Sequence, residues 1–208
     1  MTTLPRAGRR AGALVAVAAA SLALTACGGS DQKLLNDGEL VVAMSGEFQP
    51  FSHFEGDQLT GFDFDIAVAI AEEMGLELET QTGAFDSLIQ GLKSDRYDVL
   101  IASMTPTEDR DKQVDFTDPY YLSGATVFVT NDSDCTDPTQ MDSPVIGVAS
   151  GTTFESFLSE EDWVGEIRTF TSDITALEDT EVGRLDAAMT DRLVGLFQIN
   201  QADRDLRV

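Results

Sequence analysis

Positive charge is scarce in this chain. Against 37 Asp and Glu, its 208 residues carry 13 Lys and Arg, and only Lys33, Lys93 and Lys112 are lysine, for a net charge of −24. Such an excess of anions argues against nucleic acid as a partner, because phosphate binding depends on cations that release condensed counterions. Histidine is scarcer still, with His53 alone in a loop beside Phe51 and Phe54. Without a second histidine or a paired cysteine it makes no zinc site, and no Ser-His-Asp set can be assembled around it. Asp132, Asp134 and Asp137 share a polar loop but lack the spacing, central glycine and terminal glutamate of a calcium loop. Asp63 and Asp65 straddle a helix start and read as first-turn acids and caps rather than a catalytic pair. No metal, no cofactor and no enzymatic centre is expected. The acidity is spread evenly over a chain of ordinary apolar content, which reads as a solvated surface rather than disorder.

Long apolar runs are also missing. The one candidate, Ala11 to Ala23, follows the basic Arg6, Arg9 and Arg10 and is too short to span a bilayer as a stable helix. Leu24-Thr25-Ala26-Cys27 closes it and resembles the bacterial lipobox, in which the cysteine becomes the lipidated first residue of the mature protein. Residues 1–26 are therefore expected to be a lipoprotein signal peptide, and residues 27–37 the lipidated Cys27 and a tether; an ordinary signal peptide is the alternative. Its removal takes three of the 13 basic residues and no acid, leaving ten against 37. Cys135 is then unpaired, either a free thiol or one that has lost its partner.

The remainder alternates strand and helix patterns. Glu39 to Met44 predicts a strand. Phe62, Ile66, Ile70 and Met74 predict a helix from about Asp63 that stops at Gly75. A strand over Leu76 to Thr80, a helix marked by Phe85, Leu88, Ile89 and Leu92, and a strand over Tyr97 to Ala102 complete a β-α-β-α-β series, which implies a parallel sheet flanked by helices. A second series follows: strands at Ala125 to Thr130, Val145 to Ala149, Arg168 to Phe170 and Ala187 to Met189, with helices opening at Gly151 and near Ile174 and Asp191. Leu206-Arg207-Val208 reads as the start of one more strand. No Gly/Ser-rich linker separates the series, so two lobes with a cleft are expected, over residues 38–120 and 121–208.

Ligands of open α/β units sit at the carboxyl ends of the strands. Those ends deliver Phe48 and Phe85, then Ser103, Thr105 and Arg110, where Thr107 caps a short helix. In the second lobe they deliver Ser150-Gly151-Thr152-Thr153, whose amides and hydroxyls form an anion-tolerant nest, and Thr190 with Asp191. One cation, two hydroxyl-rich turns, one anion and two aromatics fit a zwitterion, with its carboxylate on Arg110 and its ammonium on Asp191. Each residue has a plainer reading: Phe48 and Phe85 as core, Ser150 to Thr153 and Asp191 as N-caps, and Arg110 as a surface partner of Asp109, Asp111 or Asp115.

Several motifs occur in order: Phe48-Gln-Pro-Phe51, Gly61-Phe-Asp-Phe-Asp-Ile66, Thr105-Pro-Thr-Glu-Asp-Arg110, Asp115-Phe-Thr-Asp-Pro-Tyr-Tyr121, Val148-Ala-Ser-Gly-Thr152 and Asp186-Ala-Ala188 to Asp191. Together they resemble the family-3 extracellular solute-binding proteins, the amino-acid receptors of ABC importers, over about residues 38–208. The resemblance implies a two-lobed periplasmic-binding-protein-like α/β fold (type II) that closes on a polar amino acid. In it Arg110 grips the α-carboxylate with help from Thr105 and the Ser150-Gly151-Thr152 turn, Asp191 takes the α-ammonium, and Phe48 and Phe85 sandwich the side chain; Ser103 and Thr153 complete the expected ligand-binding set. It also implies an ABC permease as partner, a monomeric protein, and a place in the cell envelope, lipid-anchored on the outer face of the cytoplasmic membrane or periplasmic. An exported dehydratase-like enzyme on the same scaffold and a non-functional truncated remnant are the alternatives.

Two departures stand out. The chain has Ala149 where many relatives carry a basic or other long polar residue, and Ser45 near where they carry an acid or polar group. With Phe48 and Phe85 these suggest an uncharged or weakly polar ligand side chain. Family members also continue for several dozen residues past the point matching Val208, with a tail that crosses back to lobe one. From that resemblance either a fragment or a truly truncated chain is expected, with apolar faces of lobe one uncovered and low stability as it stands; a lost tail is one place for a partner of Cys135.

Overall fold

A computed structural model describes residues 33–208; the expected signal peptide, Cys27 and most of the tether lie outside the described residues. Strand β1 (Glu39–Met44) is buried from Leu40 onward and forms the middle of the first sheet. A strand covered on both faces must be apolar throughout, as Leu-Val-Val-Ala-Met is. A small antiparallel meander follows, of β2 (Glu47–Phe48), β3 (Ser52–Glu55) and β4 (Gln58–Thr60). Its strands are short and largely solvent-facing, so no apolar periodicity marks them in the sequence.

Helix α1 (Phe62–Met74) starts at Gly61, whose φ of 116° and surroundings both require glycine: a Cβ there would stand 2.4 Å from the Phe51 carbonyl oxygen. It stops at Gly75 in the left-handed conformation, whose amide reaches the carbonyls of Ala71 and Glu72. Ala67 and Ala71 pack against Leu40, Val42, Met44 and Ile101 on one face of the sheet. Strand β5 (Glu77–Thr82) pairs parallel with β1, Val42 opposite Thr80, and alternates as an edge strand should. The segment expected as one helix from Phe85 is a 3-10 turn, Phe85–Ser87, followed by α2 (Leu88–Lys93); the Ser87 hydroxyl donates to the Ala84 carbonyl at 2.7 Å and holds the tighter turn. The strand expected over Tyr97 to Ala102 shrinks to β6 (Val99–Leu100), on the other side of β1. Val41, Ala43, Leu88, Tyr97 and Ala102 make the core of the second face.

The chain crosses to the second sheet through residues 101–124, which hold only the one-turn helix α3 (Glu108–Asp111). That sheet is built from β7 (Ala125–Thr130), β8 (Val145–Ala149), β9 (Glu166–Phe170), β10 (Ala187–Asp191) and β11 (Leu206–Arg207), in the order β11-β7-β10-β8-β9. Strands β8, β9 and β10 run parallel, while β7 lies antiparallel to β10 and β11. Helices α4 (Thr153–Ser159), α5 (Asp173–Glu181) and α6 (Arg192–Gln201) cover it. On one face Val129, Ile146, Val148, Leu158 and Met189 pack with Trp163; on the other Phe128, Ala176, Leu177, Ala188 and Leu206 do. The architecture is thus two α/β lobes with their strand ends turned towards a shared cleft, as the βα series predicts.

Candidate functional site

Arg110 stands on α3, whose N-cap is Thr107: the Thr107 hydroxyl accepts the Arg110 amide at 3.2 Å. The capped turn aims the guanidinium across the cleft. Nη1 donates to the Thr105 carbonyl at 2.6 Å, and Nη2 to the Gly151 carbonyl of the opposite lobe at 2.8 Å. Its Cζ lies 5.5 Å from the centroid of the Phe85 ring. Burial lowers its pKa from the free guanidinium value, though the group stays charged. The surface ion-pair reading fails among the described residues, since Asp109 pairs with Lys112 at 2.7 Å instead. With two of five N–H donors on neutral carbonyls, three remain for an anion.

Facing Arg110 is the turn before α4. Thr152 caps that helix, accepting the Glu155 amide at 3.2 Å and donating to the Ala149 carbonyl at 2.8 Å. The Glu155 carboxylate reaches back to the Gly151 amide at 2.7 Å. The nest expected from Ser150 to Thr153 is therefore partly filled by the chain's own acid, a correction that periodicity could not supply. Thr153 is half-buried at the helix start, and among the described residues its hydroxyl makes no hydrogen bond. Thr105 is exposed and contributes its carbonyl to Arg110, so it positions the guanidinium. Gly151 has a φ of 73°, and a Cβ on it would lie 2.7 Å from that of Asp86. Ser150 Oγ donates to Asp86 Oδ2 at 3.3 Å. Between these contacts lies a cavity of about 250 Å³, lined by Phe85 and Asp86 of lobe one and Ser150, Thr169, Phe170 and Thr171 of lobe two.

Asp191 ends β10 and is buried, with 6% of its surface exposed. Its Oδ1 accepts both the Leu193 amide, at 2.7 Å, and the Ser123 hydroxyl, at 2.8 Å. It is an N-cap, and its Oδ2 keeps no protein donor among the described residues. Phe48 stacks on Phe51 with centroids 5.3 Å apart, and Phe51 stacks on Tyr121 at 4.7 Å. Burial, reinforced by the charges of Asp191 and Asp63, pushes the Tyr121 hydroxyl up to about 12 against a weaker opposing bond from Ser103. The strand carrying Phe48 touches lobe two directly: Ser172 Oγ donates to the Glu47 carbonyl at 3.3 Å, and Gln198 Nε2 to Gln49 Oε1 at 3.0 Å.

Ser103 is placed differently from expectation. It holds a φ of 51°, its amide donates to the Tyr120 hydroxyl at 2.9 Å, and its own hydroxyl lies 2.9–3.0 Å from the two carboxylate oxygens of Asp63. Tyr120 donates to the same carboxylate at 2.8 Å. Ser103 is thus spent on anchoring the crossing segment to α1, and a ligand role for its hydroxyl is corrected. Asp63 is the first-turn acid of α1 that the sequence predicts, and it is also fully buried, which raises its pKa to about 6. Asp173, which accepts from Thr190 at 2.6 Å, is likewise raised to about 6 by burial.

A larger cavity of about 520 Å³, lined by Phe51, Phe62, Tyr121, Leu193, Leu196 and Phe197, carries no charged side chain and cannot match a zwitterion. Among the described residues no group of His, Cys, Asp and Glu could hold a metal ion, Cys135 is a free thiol, and no helix is long and apolar enough to cross a membrane.

Two lobes joined by a crossing segment, with an arginine of one lobe reaching a backbone turn of the other, invite comparison with known proteins. The chain is 34% identical over 187 residues to the L-cystine-binding protein TcyJ of Escherichia coli (strain K12), covering 86% of this chain and 70% of that protein. It is 34% identical over 194 residues to the arginine-binding extracellular protein ArtP of Bacillus subtilis (strain 168), covering 90% and 75%. In three dimensions it superposes on an ancestral arginine-binding protein bound to arginine with a TM-score of 0.78 and 34% identity, over 82% of this chain and 77% of that one. Residues 40–207, nearly all of the described fold, match the bacterial extracellular solute-binding proteins, family 3, and the chain belongs to that family.

Proposed function

We propose that this protein is the substrate-binding component of an amino-acid ABC importer and takes a free α-amino acid between its lobes. In this reading Arg110 binds the α-carboxylate, Asp191 the α-ammonium through its unspent Oδ2, and Phe48 and Phe85 flank the rest. Thr152 and Thr153 supply amides and the free Thr153 hydroxyl beside the carboxylate. The observation that carries it is the Arg110 guanidinium, half-buried on Phe85 and held by two neutral carbonyls, one from each lobe. A half-buried cation so held, with no salt bridge to an acid among the described residues, is suited to an incoming carboxylate. Relatives named as binding arginine and L-cystine support an amino-acid ligand and a binding rather than a catalytic role.

Ligand delivery would follow from hinge motion about residues 101–124: closure buries the amino acid, and opening at a membrane permease releases it. Anchoring through a lipidated Cys27 on the outer face of the cytoplasmic membrane belongs to the same reading, and Cys27→Ser would then move the protein from the membrane to the soluble fraction. A thermal-shift screen of the twenty amino acids tests the binding itself. A true ligand at about 100 times its Kd stabilises by about 2.7 kcal/mol, a shift of several degrees. A folded protein whose melting temperature no amino acid raises would sink the proposal.

A further inference from the structure

Two hydrogen bonds between the lobes bracket Phe48 and use no side chain assigned above to the ligand. Ser172 Oγ donates to the Glu47 carbonyl at 3.3 Å on one side of it, and Gln198 Nε2 to Gln49 Oε1 at 3.0 Å on the other. Ser172 and Gln198 belong to lobe two and are buried, with 8% and 2% of their surface exposed. Gln198 stands in α6, where a buried amide is costly unless both of its ends are hydrogen-bonded. Its orientation is fixed by Arg204, whose Nε donates to Gln198 Oε1 at 3.3 Å. An arginine has donors only, so the amide turns its oxygen to Arg204 and its nitrogen to Gln49. Arg204 is held in turn by Glu178 at 2.9 Å and Glu181 at 3.0 Å, both on α5. A relay of one polarity thus runs from α5 through Arg204 and Gln198 and ends on lobe one.

The far end of that relay is its informative part. Lobe two has no need of Gln49 to hold its helices together, because Arg204 already ties Glu178 and Glu181 of α5 to Gln198 of α6. The bond to Gln49 serves only the relation between the lobes. We infer that Gln49 and Gln198 form a latch that favours lobe closure before any ligand enters, and that Gln198 is a positioning residue for Phe48. It acts through Gln49, the residue next to Phe48, and needs no contact with the ligand. The inference rests on the amino-acid reading for the duty of Phe48. The latch itself concerns an equilibrium of the lobes that exists without ligand. One neutral hydrogen bond shifts such an equilibrium by about two- to tenfold. That is enough to pre-organise the cleft and little enough for the lobes to open again. Because the closed fraction scales the apparent affinity, the latch acts on any amino acid bound there.

Small-angle X-ray scattering of the full chain without added amino acid, repeated on Gln49→Ala, Gln49→Glu and Gln198→Ala, tests it. In Gln49→Ala the open-to-closed ratio should rise by about two- to tenfold, seen as a larger radius of gyration at an unchanged unfolding midpoint. Gln49→Glu should stay closed, since a carboxylate accepts the same N–H from Gln198. Gln198→Ala should open the lobes as Gln49→Ala does, and the double variant no further, because each removes the same bond. If Gln198→Ala fails to fold, the two variants of the half-buried Gln49 decide alone. A radius of gyration unchanged in Gln49→Ala overturns the inference. Equal opening in Gln49→Ala and Gln49→Glu overturns it too, since the amide's acceptor then plays no part. An unaltered chain whose lobes already stand apart in solution has no latch. The thermal screen of the twenty amino acids bears separately on the amino-acid reading, which can fail while the scattering still shows the latch.

Discussion

Arg110 Nη2 donates to the Gly151 carbonyl at 2.8 Å, so a side chain of one lobe is held by the backbone of the other. In the proposed function the contact would join the carboxylate-binding residue to the facing turn and so couple ligand capture to lobe closure.

Replacing Arg110 with Ala removes both the bidentate donor and the interlobe contact. Loss of a buried charge partner costs roughly 2–5 kcal/mol of affinity, because the ligand carboxylate is left desolvated and unpaired. Arg110→Lys recovers little of it, since an ammonium cannot present the planar fork. Titration calorimetry with the amino acid found in the thermal screen measures both, and wild-type affinity in Arg110→Ala would remove the anchor.

The two duties of Asp191 can be separated. Asparagine is as good an N-cap as aspartate, so Asp191→Asn keeps the bond from the Leu193 amide and loses only the charge. Unfolding midpoints should change little while ligand affinity falls at least tenfold. Asp191→Ala loses the cap as well, at a further cost of about 1 kcal/mol in stability. Equal affinities in the wild type and Asp191→Asn would show that the residue is a cap and nothing more.

Asp63 makes stability depend on pH in an unusual direction. Its pKa is raised from 3.8 to about 6, so between these values the folded state binds the extra proton. Stability from this group is full below about pH 4 and is lost as pH rises through about 6. At about 1.4 kcal/mol per pKa unit the loss approaches 3 kcal/mol. Asp173 acts in the same direction. Urea unfolding of Asp63→Asn between pH 4 and 7 should show a flatter profile than the wild type; an unchanged slope would contradict the assignment.

Gly151 is required for the lobes to meet. Alanine there is strained at a φ of 73° and places a Cβ 2.7 Å from that of Asp86, so the lobes must separate by some tenths of an ångström or more. Gly151→Ala should lower ligand affinity far more than the roughly 1 kcal/mol lost in stability. An equal effect on both, read from calorimetry and denaturant unfolding, would mean that the turn is strained and the lobes do not close upon it.

Much of this was legible in the chain itself. The strands Glu39–Met44, Ala125–Thr130 and Val145–Ala149 stand where the apolar runs end, and Thr107 and Thr152 cap the helices that their positions announce. Such features depend on neighbours within one or two turns, and local chemistry specifies them. The placement of Ser103 and the burial of Asp63 were not legible, for the opposite reason. Their partnership spans 40 residues, and whether a hydroxyl points to a ligand or to a buried acid is settled only when α1 and the crossing segment pack together.

By itself the sequence determined two α/β lobes, their caps, and an arginine, an aspartate and aromatics at the strand ends, because periodicity and capping are short-range properties. The tertiary structure decided how those groups are spent. It filled the Gly151 amide with Glu155, turned Ser103 inward, and set Asp86 against Ser150, since acceptors and donors far apart in the chain compete for one another only once the lobes bring them within hydrogen-bonding distance.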